Sequence, residues 1–333
     1  MPSWQSKVFR RGFETGRRQL YGDLTDMPAL RARMDKLSAP LARWTDLAWE
    51  PVEGTPIQVH SKLRASGSTD HALKARTTVE PAKPQTDAPV PAEWVFPKGS
   101  SAQRTVVYLH GGGYCVGSIV THRVLAGEVA RAAQARALVI DYRLAPEDPF
   151  PAAVEDSLAA YEWLLAQGTE PGQVVLAGDS AGGGLVISTL VALRDKGLPL
   201  PAAGVCLSPW TDLSLSGESI AGNAKSGVAL TAEMLRTFAV HYLGEGDPCS
   251  PLASPLYADP SGLPPLLVQV GSHEILLDDA RRLAERAQAA GVEVVLDVWE
   301  EMVHVWQAYA VFLPEAREAI ARIGEFVVEH MRE

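Results

Sequence analysis

Residues 174–183 read Val174-Val175-Leu176-Ala177-Gly178-Asp179-Ser180-Ala181-Gly182-Gly183, and a helix-compatible segment from Leu185 to Arg194 follows them. The apolar first half predicts a buried strand, so the Gly-x-Ser-x-Gly pentapeptide stands in a strand, sharp turn, helix context. Ser180 is then at the tip of the turn. Because the backbone is strained there, the residues two positions away must be small, as Gly178 and Gly182 are. The stretch predicts a candidate nucleophile, whereas the alternative is a glycine-rich turn whose serine only caps the helix.

The composition is that of an ordinary globular chain. Of 333 residues, 47% are apolar and 21% are charged, and this length predicts one domain of about 250 residues with an accessory segment. The 40 acidic and 30 basic residues give a formal net charge of -10, which disfavours nucleic acid and membrane surfaces as partners.

The cysteines and the N-terminus bear on the compartment. Cys115, Cys206 and Cys249 follow no metal or disulfide spacing, so we expect small buried apolar side chains in a reducing compartment. No apolar run with a cleavage site follows the basic residues of the N-terminus, and no run approaches 18 apolar residues. These patterns predict a cytoplasmic location.

Short apolar runs alternate with helix-length segments from Arg104 onward. This alternation predicts a mostly parallel, doubly wound α/β sheet with helices on both faces. Ligands of such sheets bind beyond the carboxyl ends of the strands. The predicted strands are 105–109, 137–140, 174–177, 204–207, 266–270 and 292–298, and the predicted helices include 120–134 and 152–166.

Three segments fall outside this alternation. Residues 1 to about 50 have an amphipathic helical pattern, with apolar residues at Leu30, Met34, Leu37, Leu41 and Trp44. Residues 213–260 contain an amphipathic stretch, 232–243, but no strand pattern, and we interpret them as an insertion. Residues 61–91 are polar and proline-rich and predict a loop with a possible edge strand. The predicted organisation is an N-terminal helical cap segment (1–60), a core (61–210 and 260–333) and a cap insertion (211–259).

Three glycines follow the predicted strand 105–109, in His110-Gly111-Gly112-Gly113-Tyr114. Consecutive glycines stabilise neither helix nor strand, so they indicate a loop whose N–H groups approach a ligand closely. Acyl transfer needs such donors for a developing oxyanion, and the amide after the nucleophile, that of Ala181, would join them. The alternatives are a simple tight turn or a phosphate-binding loop, but the phosphate-loop spacings are absent.

A serine nucleophile requires a base, and the base requires an orienting acid. In the chain order Ser, acid, His, the base lies downstream of Ser180. The candidates are His241 in the predicted cap insertion, His273, His304 and His330. We favour His304, which follows the last predicted strand. Glu274, Asp278 and Asp279 compete as the acid; we favour Glu274 because it is nearest the strand end, while the aspartates are placed to cap the next helix.

The chain resembles the hormone-sensitive-lipase branch of α/β-hydrolase esterases, the bacterial family IV carboxylesterases. The resemblance covers about residue 91 to the C-terminus. It rests on five ordered motifs: 110–113 (HGGG), 141–147 (DYRLAPE) with 150–152 (FPA), 178–183 (GDSAGG), 208–212 (SPWTD) and 271–279.

The resemblance implies an α/β-hydrolase fold with a helical cap and hydrolysis of short-chain carboxylic esters without a cofactor or metal. It implies oxyanion donors at Gly112, Gly113 and Ala181, a small-molecule ester as the partner, and a possible homodimer. The family acid is usually Asp, and Glu274 stands at that position. His273 beside Glu274 also departs from the family pattern. The two alternatives for it are that it tunes the pKa of the acid or that it competes with His304 as the base.

The position of Tyr114 and Trp210 predicts that they line a substrate pocket, while 141–147 and Asp212 are expected to support the loops below the site. The same triad also serves lactone hydrolases, deacetylases and amidases, because acyl specificity lies in the pocket. A receptor on the same fold is a further alternative. The plant gibberellin receptor resembles this family but lacks the catalytic histidine, whereas His304 is present here.

Overall fold

The structure, a computed structural model, describes residues 3, 24, 26–40, 47–52, 89–227 and 229–331. Most of the predicted loop 61–91 lies outside the described residues, as do Leu41 and Trp44 of the N-terminal apolar stripe.

Eight strands of the described ranges form one sheet in the order β1-β2-β4-β3-β5-β6-β7-β8. From β4 to β8 the neighbouring strands are parallel, while β1 and β2 join antiparallel at one edge. The strands are β1 (Ala48–Pro51), β2 (Ala92–Phe96), β3 (Ser101–Leu109), β4 (Ala135–Ile140), β5 (Val174–Asp179), β6 (Ala203–Leu207), β7 (Leu266–Gly271) and β8 (Val294–Trp299). The predicted fold class and all six predicted strands are confirmed.

The helices of the described ranges cover both faces of the sheet. They are α1 (Met27–Ser38), α2 (Ile119–Ala132), α3 (Ala152–Ala166), α4 (Ala181–Asp195), α5 (Ser219–Gly222), α6 (Ala232–Leu243), α7 (Leu277–Ala289) and α8 (Pro314–His330). None of the helices in these ranges has the length and apolar character needed to cross a bilayer.

Side chains that alternate along the strands build two cores. On β3, Val107 and Leu109 belong to one core with residues of α3, α4 and α7, whereas Val106 and Tyr108 belong to the other with residues of α2 and α8. This alternation follows from the period of two in a strand. Strands buried on both faces have near-continuous apolar sequences, which is why the runs of β3 to β7 could be recognised. Strand β8 is partly exposed and was recognised by its apolar sequence alone.

Two expectations about local structure were wrong, and one strand was missed. Residues 48–51 form strand β1 where a helix was expected, because they pair with β2 and the Arg123 guanidinium lies 4.8 Å from the Trp49 ring centroid. Strand β2 was not foreseen. Cys249 is exposed, unlike the buried Cys115 and Cys206, because it lies in a turn where its amide donates to Asp247.

The segments assigned to the cap contain helices and, apart from β1, no strand among their described residues. Helix α1 lies in the N-terminal segment, and α5 and α6 lie between β6 and β7. The bounds of α6, 232–243, are those expected from the sequence. The division into core and cap stays a prediction.

Candidate active site

Ser180 occupies the turn between β5 and α4 with φ 54° and ψ -121°. A side chain at Gly182 would place its Cβ 1.9 Å from the carbonyl oxygen of Leu109, and one at Gly178 would place it 2.5 Å from the oxygen of Gly182. Both approaches are closer than any real Cβ contact. The small residues expected around the serine are therefore required by backbone packing, and the turn can present a strained serine at the sheet edge.

The loops after β7 and β8 bring Glu274 and His304 to Ser180. His304 Nε2 lies 2.9 Å from Ser180 Oγ, and His304 Nδ1 lies 2.8 Å from Glu274 Oε2. Glu274 is 1% exposed and Ser180 is 6% exposed. Because parallel strands end at one edge of the sheet, three residues that are far apart in sequence meet there.

The chemistry of the partners decides how the imidazole is used. An ionised carboxylate only accepts hydrogen bonds, so Nδ1 of His304 carries the proton that faces Glu274. Nε2 of the neutral ring is then an acceptor directed at the Ser180 hydroxyl. This arrangement can remove a proton from the serine and hold the resulting imidazolium beside a negative charge.

Ser208 supports Glu274 and the loop that carries His304, and it was not singled out from the sequence. Its hydroxyl donates to Glu274 Oε1 at 2.8 Å and accepts from the amide of Val305 at 3.1 Å. The amide of Gly271 is a further donor to Glu274 Oε1, at 2.5 Å. The available signal was position, because Ser208 directly follows β6 and so lies at the same sheet edge.

The glycine loop after β3 turns sharply beside the serine. Gly112 has φ 120° and Gly113 has φ 61°, and neither amide donates a hydrogen bond within the part of the chain that the structure describes. Ala181 is the first residue of α4, so its amide has no acceptor within the helix. The three amides predicted as oxyanion donors are thus not used by the helices, strands or turns of the described residues.

Asp179 links the glycine loop to the strand that ends at Ser180. Its Oδ1 accepts from the amide of Gly111 at 3.1 Å and from the hydroxyl of Tyr108 at 2.8 Å. His122 Nε2 lies 3.5 Å from Asp179 Oδ2. The residue before the serine therefore holds the start of the loop through the Gly111 amide and the end of β3 through the Tyr108 hydroxyl.

The pKa values of Asp179, His122 and His110 are shifted by burial and by the charges of their neighbours. Burial acts to raise the pKa of Asp179, but the charge and hydrogen bond of His122 outweigh it and leave that pKa below its usual value. Burial likewise acts to lower the pKa of His122, and Asp179 raises it above its usual value. Burial, reinforced by His122, lowers the pKa of His110 to about 3, so His110 is neutral. The glycine loop thus lies beside a neutral His110 and beside His122 and Asp179, each of which favours the charged form of the other.

The residues expected to support the loops below the site do so. The hydroxyl of Tyr142 donates to the carbonyl oxygen of His110 at 2.6 Å, and their rings stack with centroids 4.2 Å apart. Arg143 forms an ion pair with Asp156 at 2.7 Å. Asp141 Oδ1 accepts from the amide of Ile119 at the start of α2.

The two residues expected to line the pocket are enclosed in an aromatic cluster. Tyr114 is 1% exposed and Trp210 is fully buried, with ring centroids 6.1 Å apart. Tyr114 also stacks on Tyr242 of α6 at 3.8 Å. Phe238 of α6 fills the space at Gly113, where an added Cβ would lie 2.3 Å from its ring. A pocket role for Tyr114 and Trp210 stays a prediction.

The two aspartates that compete with Glu274 have other partners. Asp278 Oδ2 accepts from the amide of Ser219, and Asp279 Oδ2 accepts from the amides of Thr211 and Asp212. Both lie in the first turn of α7. Among the described residues, no group of three or more His, Cys, Asp or Glu side chains is arranged to hold a metal ion.

Known proteins resemble this chain in sequence and in fold. A profile of the family described as alpha/beta hydrolase fold matches residues 106–308. An acetyl-hydrolase of Streptomyces hygroscopicus is 52% identical over 236 residues, which cover 71% of this chain and 79% of that protein. The crystal structure of an esterase from the bacterial hormone-sensitive lipase family aligns over 100% of both chains with 44% identity and a TM-score of 0.84. That of EstE5 soaked with p-nitrophenyl butyrate aligns over 99% of both chains with 38% identity and a TM-score of 0.82.

Proposed function

The chain belongs to the α/β-hydrolase family, in its hormone-sensitive-lipase branch of bacterial esterases, and on that basis we propose that it hydrolyses short-chain carboxylic esters through Ser180, His304 and Glu274. One observation carries the proposal: the His304 imidazole lies between the other two, 2.9 Å from the hydroxyl and 2.8 Å from the carboxylate. These distances are within the reach that proton transfer requires.

The first half of the reaction forms an acyl-enzyme. His304 Nε2 takes the proton of Ser180 while Oγ attacks the ester carbonyl carbon, and the carbonyl π electrons move to the oxygen. The amides of Gly112, Gly113 and Ala181 donate hydrogen bonds to that oxyanion, while Glu274 stabilises the imidazolium. His304 then returns the proton to the alcohol as the bond between carbon and the alcohol oxygen breaks.

The second half repeats these steps with water. His304 takes a proton from water, hydroxide adds to the acyl carbon, and the oxyanion again lies against the three amides. Its collapse breaks the bond to Ser180 Oγ, which recovers the proton from His304. The products are a carboxylic acid and the free enzyme, and no step needs a cofactor.

Similarity and packing both support a small acyl group. One relative is named an acetyl-hydrolase, and a structural neighbour was soaked with a butyrate ester. Phe238 packs directly on Gly113, so the space beside the proposed oxyanion donors is occupied by the ring. A series of p-nitrophenyl esters from acetate to decanoate tests this preference, with kcat/KM expected to be highest at acetate or butyrate. A maximum at decanoate would contradict it.

The nucleophile is tested by Ser180→Ala. The variant should lose p-nitrophenyl butyrate turnover by about 10⁴-fold or more, since the remaining groups act only through binding and the oxyanion donors. Ser188→Ala is the matched control, because Ser188 is a buried serine of helix α4, which follows Ser180, and its hydroxyl donates to the carbonyl oxygen of Gly184. A fluorophosphonate should label wild type and not Ser180→Ala. Turnover near wild type in Ser180→Ala would refute the proposal, and an unlabelled, inactive wild type would point to a receptor.

The acid is tested by comparing two neighbouring carboxylates. Glu274→Ala should lower kcat about 10³- to 10⁴-fold, because His304 loses the partner that fixes its tautomer and charge. Asp278→Ala should act on stability instead, because Asp278 accepts from the amide of Ser219 and not from His304. The reverse pattern of kcat would reassign the acid. A panel of lactones, amides and acetylated substrates then distinguishes an esterase from a lactone hydrolase, an amidase or a deacetylase with the same triad.

A further inference from the structure

Arg31 of helix α1 makes four hydrogen bonds to the glycine loop and to the loop that follows β4. Arg31 Nε donates to the carbonyl oxygen of Cys115 at 2.7 Å, and Arg31 Nη2 donates to the carbonyl oxygen of Ala145 at 2.6 Å. The remaining donors form a two-point ion pair with Glu147, at 3.1 and 2.8 Å. One guanidinium therefore joins three residues that come from two different loops.

The backbone around Cys115 connects this arginine to the proposed oxyanion donors. The amides of Cys115 and Val116 donate to the carbonyl oxygen of Gly112 at 3.1 and 3.0 Å. The amide of Ala145 donates to the carbonyl oxygen of Tyr114 at 2.9 Å. The two carbonyls that Arg31 binds thus belong to one hydrogen-bonded unit, and this unit sets the direction of the peptides at 112 and 113.

Helix α1 is packed firmly enough to act as an anchor. Met27 and Leu30 are each 1% exposed, and the hydroxyl of Ser118, at the far end of the same loop, donates to Asp35 of α1. The helix therefore holds the loop at two points, with Arg31 nearer the glycines.

We propose that Arg31 is a positioning residue for the oxyanion donors, so that the outer helix α1 contributes to the chemical step. The proposal rests on the proposed function of Gly112 and Gly113. Arg31 fixes the turn 112–116 from outside, as Asp179 fixes its start at Gly111 from inside. A shift of the turn would move both amides away from the oxygen on which charge develops.

The geometry requires arginine in particular. Carbonyl oxygens and a carboxylate lie on different sides of the group, and the planar fork of guanidinium has five donors in fixed directions. A lysine ammonium carries the same charge on one nitrogen, and it cannot span these acceptors at once. Burial acts to raise the pKa of Glu147, but the hydrogen bonds of Arg31 outweigh it and leave that pKa below its usual value, in agreement with a formed ion pair.

The test compares Arg31→Lys with Lys36→Ala, which changes an exposed residue of the same helix. For each protein, p-nitrophenyl butyrate kinetics are expressed per active site, with sites counted by complete fluorophosphonate labelling. Arg31→Lys should lower kcat about ten- to a hundredfold with little change in KM, since displaced donors affect the transition state more than the bound ester. Lys36→Ala should behave as wild type.

A second readout reports on the oxyanion itself. A trifluoromethyl ketone forms a hemiketal in which Ser180 Oγ bonds to the carbonyl carbon, the proton passes to His304, and the oxygen becomes an anion. Its inhibition constant should rise in Arg31→Lys by about the same factor as kcat/KM falls. A residue that only holds α1 in place would reduce the number of labelled sites and leave kcat per site and this constant unchanged.

The outcomes separate the two proposals. Wild-type kcat per labelled site in Arg31→Lys, or a rise in KM alone, would overturn the role of Arg31 and leave the triad intact. If Arg31→Lys does not fold, Glu147→Gln, which keeps the two carbonyl contacts of Arg31, should show a smaller fall in kcat per site and a smaller rise in the inhibition constant; no change in either would overturn the role. Turnover by Ser180→Ala at the wild-type rate would overturn the proposed function and this role with it.

Discussion

Ser208 holds the acid and the loop of the base at the same time. Its hydroxyl donates to Glu274 Oε1 and accepts from the amide of Val305, the residue after His304. Ser208 has φ 47°, a backbone angle that residues other than glycine rarely adopt. Because such strain persists only where surrounding contacts impose it, the position is expected to matter for activity.

Ser208→Ala should lower kcat about tenfold. A hydrogen bond to a charged group contributes about 1.5–3 kcal/mol, and without it Glu274 is held less firmly in the position that orients His304. The measurement is ester turnover per fluorophosphonate-labelled site. Ser157→Ala is the control, because Ser157 is equally buried but bonds to Val154 and Thr189 of the core. Equal kcat in wild type and Ser208→Ala would show that the Gly271 amide alone suffices to orient the acid.

The triad candidates could be predicted from the sequence, whereas the supporting roles of Ser208 and Arg31 could not. The difference has a physical reason. Ser180 and His304 each follow a recognisable strand, so the topology of a parallel sheet places them at one edge. Ser208 and Arg31 act through contacts to residues 66 and 84 positions away. No local pattern encodes which carbonyl or carboxylate a side chain will meet after such a separation.

At the scale of elements, helices α2 and α8 cross at a glycine. A Cβ at Gly324 of α8 would lie 2.4 Å from the carbonyl oxygen of Ala132, the last residue of α2. Glycine in a helix interior normally reduces stability by about 1 kcal/mol relative to alanine. Here the close approach of two backbones requires it.

Gly324→Ala should therefore destabilise the protein by about 1–3 kcal/mol, the usual result of overpacking, in spite of the better helix propensity of alanine. The free energy of unfolding in urea is the measurement. Gly222→Ala in α5 is the control, because nothing lies within 4 Å of an added Cβ there. A Gly324→Ala variant as stable as wild type would mean that α8 moves away from α2 at little cost.

The elements that were missed differ from those that were found in how they are buried. Strands β3 to β8 were recognised by their apolar runs, which are buried in β3 to β7 and partly exposed in β8. Strand β1 is exposed along its length, and β2 alternates between partly and fully buried residues. Glu93 of β2 is nearly buried because Arg123 pairs with it at 2.7 Å. A charged residue that is buried by a distant partner breaks the apolar pattern, so the edge of the sheet could not be predicted.

The molecule as a whole depends on which of its buried carboxyl groups are charged. Asp212 is surrounded by the donors of Ser214, Ser216 and Arg282. Burial acts to raise the pKa of Asp212, but these hydrogen bonds outweigh it and leave that pKa below its usual value. Asp279, beside it, accepts two amides on Oδ2, while its Oδ1 has no partner in the described ranges. Burial raises the pKa of Asp279 to about 8.

These opposite shifts give the stability of the fold a defined dependence on pH. The unfolded chain releases the proton of Asp279 near pH 4, the usual value for this side chain, while the folded chain keeps it until about pH 8. The folded state thus binds one more proton than the unfolded state between these values. Since stability falls with rising pH wherever the folded state holds more protons, Asp279 lowers the free energy of unfolding progressively across this window.

Asp279→Asn removes this dependence, because the amide is neutral at every pH in the window. Relative to wild type, the variant should gain more than about 1 kcal/mol of unfolding free energy between pH 5 and pH 9, the equivalent of one pKa unit, as measured by urea unfolding at both values. Asp259→Asn should show a constant difference, because hydrogen bonds from Ser261 hold the pKa of that exposed carboxyl below its usual value, outside the window. A constant difference for Asp279→Asn as well would mean that Asp279 is already ionised in the folded protein, and the amides of Thr211 and Asp212 would then be sufficient to hold a buried carboxylate.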